Sequence, residues 1–202
     1  LLEPFSQLAA ADIDGDGRIE IVAILKGGGL VVFEHDLSVK WTSRDTALNL
    51  GASYGGPSIA DLEGDGVPEI LLGNAVVKAD GQLKWKGSLS FRGFNYGHGG
   101  GLSYAVDLTS SPGLEVIAGP SVYSADGQLL WQYGDSGDGF TAVADLDGDA
   151  KPELVSMAIN GRFRVLRHDG TTMGGGRVGA GGGPPVIGNF DQDPQLEIGL
   201  LT

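Results

Sequence analysis

The chain contains no cysteine, so disulfides and thiolate metal sites are excluded. In a protein working outside the cell, cross-links then have to come from metal ions. No apolar run approaches the roughly 20 residues that cross a bilayer as a helix. The first residues carry no Met, no basic start and no apolar leader, and read as a processed or excised chain. Lys and Arg are scarce, 13 against 26 Asp and Glu, and they form no cluster or stripe, which argues against nucleic acid. Helical periodicity is missing throughout. Glycine is plentiful, at 36 of 202 residues, and with modest aromatic content it suits an all-β protein with many tight turns. That length suffices for one sizeable domain with a substantial core.

The acidic residues are concentrated in one pattern. Asp12-Ile13-Asp14-Gly15-Asp16-Gly17-Arg18-Ile19-Glu20 puts carboxylates at first, third, fifth and ninth positions, with glycines between them. Carboxylates this close repel unless a cation neutralises them, and the glycines let the backbone coil so that alternate side chains converge. Ca²⁺ takes six to eight oxygens at about 2.3–2.6 Å, which this spacing delivers. Arg18 at position seven contributes its carbonyl, leaving its side chain to point outward. An EF-hand is a poor match, because its last acid stands at position twelve and helices flank it.

A solvated acidic turn explains one such copy, but there are five. Residues 61–69 repeat it with Asp61, Glu63, Asp65, Val67 and Glu69, and residues 145–153 with Asp145, Asp147, Asp149, Lys151 and Glu153. Residues 189–197 carry Asn189, Asp191, Asp193, Gln195 and Glu197. Residues 107–115 are a degenerate copy, with Thr109 and Ser111 where carboxylates are expected, so a calcium site there is doubtful. The intervals of 49, 46, 38 and 44 residues mark stacked structural repeats. These loops hold 17 of the 26 acids, leaving 9 against 13 basic residues, and four Ca²⁺ take the net charge from −13 to −5. The acidity thus describes ion sites, not a basic ligand.

Each repeat has four parts. A short run enters the loop: Gln7 to Ala11, Pro57 to Ala60, Leu102 to Val106, Thr141 to Ala144, and Pro185 to Gly188. After the loop comes an apolar run: Ile19 to Leu25, Ile70 to Leu72, Leu114 to Ala118, Leu154 to Met157, and Leu196 to Leu201. A third run follows, at Leu30 to Phe33, Ala75 to Val77, Val122 to Tyr123, and Phe163 to Leu166. Asp80-Gly81 and Asp126-Gly127 then turn the chain into Gln82 to Trp85 and Gln128 to Trp131, as hairpin signals that use positive φ. Asp36-Leu37 and Asp169-Gly170 hold the same place in repeats one and four. Four short strands per unit of 40–50 residues predict propeller blades.

The loops, with flanking pieces such as Gly55-Gly56-Pro57 and Ile117-Ala118-Gly119-Pro120, resemble FG-GAP (VCBS-type) repeats. These build the calcium-binding β-propellers of integrin α-chains and many bacterial surface proteins. The resemblance covers essentially the whole chain. It implies calcium loops between the first two strands of each blade, on one face of a ring usually of seven blades. The chain, residues 1–202, holds only about four and a half units. The fifth lacks its outer strands, and Leu1-Leu2-Glu3-Pro4 is too short to supply both. An open propeller exposes edges and apolar faces, so remaining blades are expected from a larger chain or partner segments.

Trp41, Trp85 and Trp131 could stack sugars, but their recurrence in register favours packing between blades. His35 and His168 precede the turns and read as exposed turn residues, not catalytic or zinc-binding ones. The one non-repeating stretch, 91–101, carries Phe91, Arg92, Phe94, Asn95, Tyr96 and His98 as a possible ligand-binding loop. Packing over the blade end is equally compatible. Gly174-Gly175-Gly176 and Gly179 to Gly183 lack the Gly-Lys-Ser/Thr of a phosphate loop and read as a mobile or tightly packed connection. No nucleophile–base pair stands out.

The expectation is therefore a non-enzymatic, calcium-stabilised propeller module at the cell surface or secreted, used for adhesion or scaffolding with a protein or glycan partner. The alternative is a lectin-like propeller, or the propeller of a polysaccharide-degrading enzyme. A calcium sensor fits less well, since the sites sit in rigid sheet.

Overall fold

A computed structural model describes residues 1–45, 48, 55–88, 101–133, 139–158, 160–179 and 182–201. Runs of Ile, Val and Leu form strands because branched side chains pack well on a pleated face, and closely spaced glycine turns leave no length for a helix. Blade one comprises β1 (Ala9–Ala11), β2 (Glu20–Ile24), β3 (Leu30–Phe33) and β4 (Val39–Ser43). Blade two comprises β5 (Ser58–Ala60), β6 (Glu69–Leu72), β7 (Ala75–Val77) and β8 (Leu83–Lys86). Blade three comprises β9 (Ser103–Val106), β10 (Glu115–Ala118), β11 (Ser121–Tyr123) and β12 (Leu129–Gln132). Blade four comprises β13 (Gly139–Ala144), β14 (Glu153–Ala158), β15 (Arg162–Leu166) and β16 (Thr172–Arg177). A two-stranded fifth sheet pairs β17 (Val186–Gly188) with β18 (Glu197–Gly199). Every sheet is antiparallel with its strands in chain order.

The innermost strands neighbour one another, β1 beside β5, β5 beside β9, and β13 beside β17. The molecule is a partial β-propeller of four-stranded blades, and the ring is not closed. No helix among the described residues is long and apolar enough to cross a membrane.

The core lies between blades. Val22, Ile24, Leu30 and Val32 of blade one meet Ile70, Leu72, Ala75 and Val77 of blade two. Leu71 and Val76 point the other way, to Val116, Ala118 and Tyr123 of blade three. Ile117, Val122 and Tyr133 then meet Leu154 and Leu166 of blade four. Alternation along each strand sends successive side chains to opposite neighbours. That is why β6, β10 and β14 are buried from end to end and, after an opening glutamate, read as apolar runs interrupted only by Ser156. Each fully buried Leu, Ile or Val contributes about 1.5–3 kcal/mol of transfer energy.

Several expectations change in detail. Gly174 to Gly176 are not a connection but the centre of β16, paired with Val165, Arg164 and Phe163. Glycine hides this strand from sequence patterning, yet the pairing requires close approach. A Cβ on Gly175 would lie 2.6 Å from the Phe163 carbonyl oxygen. In the Asp-Gly hairpins only the glycine has positive φ, as at Gly81 (86°) and Gly127 (85°). Each is a three-residue turn, with Gly81 N–H donating to Lys78 O at 2.9 Å and Lys78 N–H to Gln82 O at 2.8 Å. Leu1 to Glu3 run along β2 of blade one, where Glu3 N–H donates to Ile24 O at 2.9 Å.

The tryptophans latch successive blades. Trp41 Nε1–H donates to Ala79 O at 2.8 Å, Trp85 to Ala125 O at 2.8 Å, and Trp131 to His168 O at 3.1 Å. Each ring lies against the glycine of the next blade's hairpin, Gly81, Gly127 or Gly170. His35 is exposed as expected, but His168 is half-buried because Trp131 covers its backbone.

Candidate metal centres

All five loops join the first two strands of a blade and share one frame. The ninth-position glutamate accepts, through Oε2, the backbone N–H of position two. The donors are Ile13 (3.0 Å), Leu62 (3.1 Å), Leu108 (2.8 Å), Leu146 (2.8 Å) and Phe190 (2.6 Å). The side chains of Ile13, Leu62 and Leu108 plug the core below. The glutamate opens the second strand, so β-pairing fixes its position.

The first-position aspartate folds the loop over itself. Asp12 accepts Gly15 N–H at 2.7 Å and Gly17 N–H at 2.8 Å. Asp145 accepts Gly148 N–H at 2.7 Å and Ala150 N–H at 3.0 Å. Asp61 accepts Gly66 N–H at 2.7 Å, and this bond leads the effects that hold its carboxyl below the usual range. Gly17 and Gly66 supply positive φ at position six, where Ala150 adopts φ 66° despite the steric cost of a side chain. Position five is an Asx turn. Asp16, Asp65, Asp149 and Asp193 accept the N–H two residues on at 2.8–2.9 Å. The position-seven side chains of Arg18, Val67, Lys151 and Gln195 are exposed.

Three loops gather acid oxygens within 4.8 Å of one another: Asp12, Asp14 and Glu20; Asp145, Asp147 and Glu153; and Asp191, Asp193 and Glu197. Asp16 and Asp149 are not drawn into these groups, and Asn189 donates its amide to the Asp193 carbonyl. The fit to a hard cation is best in loops one and four. Glu20 and Glu153 are 0% and 1% exposed, and Oε1 of each has no hydrogen-bond partner. A buried carboxylate oxygen without a donor is costly, whereas a divalent cation satisfies it.

Two lysines that the sequence reading did not single out also reach the loops. Lys40 Nζ donates to Asp14 at 2.6 Å and Glu34 at 2.8 Å, and the Asp14 carboxyl is lowered chiefly by that bond. Lys84 Nζ donates to Glu69 Oε1 at 2.6 Å and also to Glu63. Burial opposes the charge on Lys84, but the two carboxylates outweigh it and raise its pKa. The available signal was the Lys-Trp pair at the same register in blades one and two. Loop 107–115 closes on a hydroxyl, Thr109 Oγ1 donating to Glu115 Oε1 at 2.5 Å. The sequence candidates Phe91, Arg92, Phe94, Asn95, Tyr96 and His98 lie outside the described residues.

Residues 12–72 match the model of the FG-GAP-like repeat. No curated protein matches the chain by sequence. Among solved structures it is similar to the biofilm matrix protein Bap1 of V. cholerae, with 30% identity and TM-score 0.77 over 93% of this chain and 31% of that one. It is also similar to rhamnogalacturonan lyase YesW (25% identity, TM-score 0.62, 84% of this chain, 30% of that one). A rhamnogalacturonan lyase of Bacillus licheniformis matches at 25% identity and TM-score 0.60, over 83% of this chain and 30% of that one. The chain thus spans about a third of the length of these proteins. It is a partial β-propeller whose residues 12–72 form an FG-GAP-like repeat.

Proposed function

We propose that the chain is a non-catalytic, calcium-stabilised propeller segment working outside the cell or at its surface, in adhesion or scaffolding. The observation carrying this reading is the pair of orphaned, buried glutamate oxygens, Glu20 Oε1 and Glu153 Oε1, each beside two aspartates. Loops 12–20, 145–153 and 189–197 hold Ca²⁺ through these carboxylates, with the position-seven carbonyls of Arg18, Lys151 and Gln195 as further oxygens. The ion's role is to neutralise the acids and clamp a blade's first two strands. Extracellular calcium, about millimolar, fills sites with dissociation constants of about 10⁻⁴–10⁻³ M. Likeness to a biofilm matrix protein supports the location and the adhesive role.

Further blades complete the ring, from a larger chain or from partner segments. Supporting this, Leu1, Phe5 and Leu8 at one open side and Val186, Phe190 and Leu201 at the other are exposed. A calcium titration tests the metal assignment. Asp147→Ala should remove or weaken one site, whereas Thr109→Ala should leave binding unchanged. Equal calcium binding by Asp147→Ala and the native chain would refute it.

A second reading, carbohydrate recognition or the propeller of a polysaccharide-degrading enzyme, is favoured by the likeness to rhamnogalacturonan lyases. A glycan array separates the two. Hits that vanish on Tyr96→Ala support sugar binding, and silence across a broad array supports protein adhesion or scaffolding.

A further inference from the structure

The loops differ in what meets the second oxygen of the ninth-position glutamate. In loops one and four nothing does. In loop 61–69 a lysine ammonium does, and in loop 107–115 a threonine hydroxyl. We propose that the Lys84 ammonium stands in for the cation in loop 61–69, making blade two's clamp independent of metal while loops one and four remain metal sites. This rests on reading the loops as cation clamps.

Register explains why one lysine enters its loop and the other does not. Lys40, Lys84, Leu130 and Met173 occupy one position, next to the residue paired with Val32, Val76, Val122 and Val165. Leu130 and Met173 bring no charge. Lys40 and Lys84 do, and their fates are set by the residue that opens the hairpin. In blade one this is Glu34, which takes the ammonium at 2.8 Å and leaves it touching Asp14, one of the three clustered acids, but not Glu20. Glu20 Oε1 stays unpartnered. In blade two the equivalent residue is Lys78, a like charge on the same groove as Glu63, Glu69 and Lys84. With no acid at that place to hold it back, Lys84 bridges Glu63 and Glu69.

An ammonium carries one charge and three donors, so it satisfies two carboxylates where a divalent ion satisfies three or more. Consistently, Asp61, Glu63 and Glu69 are not drawn into a group like those of loops one, four and five among the described residues. A propeller with one loop clamped by lysine keeps blade two in register at low calcium. Blades one and four, with loop 189–197, then carry the calcium dependence.

Isothermal titration of calcium into the full chain tests this, with Lys84→Met, Lys84→Arg and Asp61→Asn. Lys84→Met, which copies the residue at that place in blade four, should gain one calcium per chain. Its melting temperature should become more sensitive to chelator. Lys84→Arg and Asp61→Asn should bind as many ions as the native chain. Loss of one ion in Asp61→Asn, which stands even if Lys84→Met fails to fold, overturns the inference while leaving the clamp reading intact. Unchanged stoichiometry in a folded Lys84→Met also overturns it. A native chain that takes up no calcium sinks the clamp reading and this inference together.

Discussion

The latch between blades two and three can be broken from either side, and the two ways are not independent. Trp85 is half-buried. Its Nε1–H donates to Ala125 O at 2.8 Å and its ring lies 5.7 Å from that of Tyr123 at a 39° tilt. Trp85→Ala removes the packing and the hydrogen bond, costing about 3 kcal/mol. From the other blade, Gly127 has φ 85°, and a Cβ there would lie 2.6 Å from the Trp85 ring. Gly127→Ala therefore carries a backbone cost of about 1–2 kcal/mol and a steric cost of about 1–3 kcal/mol. In the Trp85→Ala background the ring is gone, and apart from the contact with the retained Cβ at 3.0 Å only the backbone cost survives. The double mutant should thus be more stable than the sum of its parts by about 1–3 kcal/mol. Urea unfolding measures this, provided the m-value is unchanged across the four proteins. Additivity to within about 0.5 kcal/mol would refute the latch and reopen a surface role for the tryptophan.

Loop three should be stabilised without metal. Thr109→Val leaves a buried Glu115 oxygen without its donor and should cost about 1–3 kcal/mol, equally with and without chelator; a neutral effect in urea would contradict this. Alkaline stability should carry the mark of Tyr104, which burial pushes up to about 12. The folded chain keeps a proton that the unfolded chain releases near its ordinary value of about 10, so stability falls between those pH values by about 2–3 kcal/mol. Tyr104→Phe should flatten this part of the melting-temperature profile, and an unchanged slope would count against it.

The features legible in the sequence were local ones. The nine-residue loops, the Ile/Val/Leu runs after them and the Asp-Gly hairpins each write their geometry into adjacent residues. The third strands at Leu30–Phe33 and Ala75–Val77 were read to the residue. The in-register tryptophans were legible as blade packing, although not their carbonyl partners some 40 residues away, such as Trp85 on Ala125. Strand β16 escaped because Gly174 to Gly176 have no side chains to show alternation. The loop glutamates were read as ligands, and their second task, holding the N–H of position two, depends on how the strand after the loop is anchored. Lys84 escaped for a similar reason. Its contact with Glu69 spans 15 residues and depends on Lys78, not an acid, standing at the end of the third strand, which only the folded blade brings to the same groove.

In the proposed function, cations and not sequence-local turns alone clamp the first two strands of blades one and four. Thermal unfolding of the full chain in excess chelator and in calcium at about tenfold the dissociation constant tests it. Each filled site adds about 1.4 kcal/mol under those conditions, so the three proposed sites raise the midpoint by about 8–17 °C. Glu153→Gln should lose roughly a third of that gain. Superimposable melts with and without calcium would contradict the account.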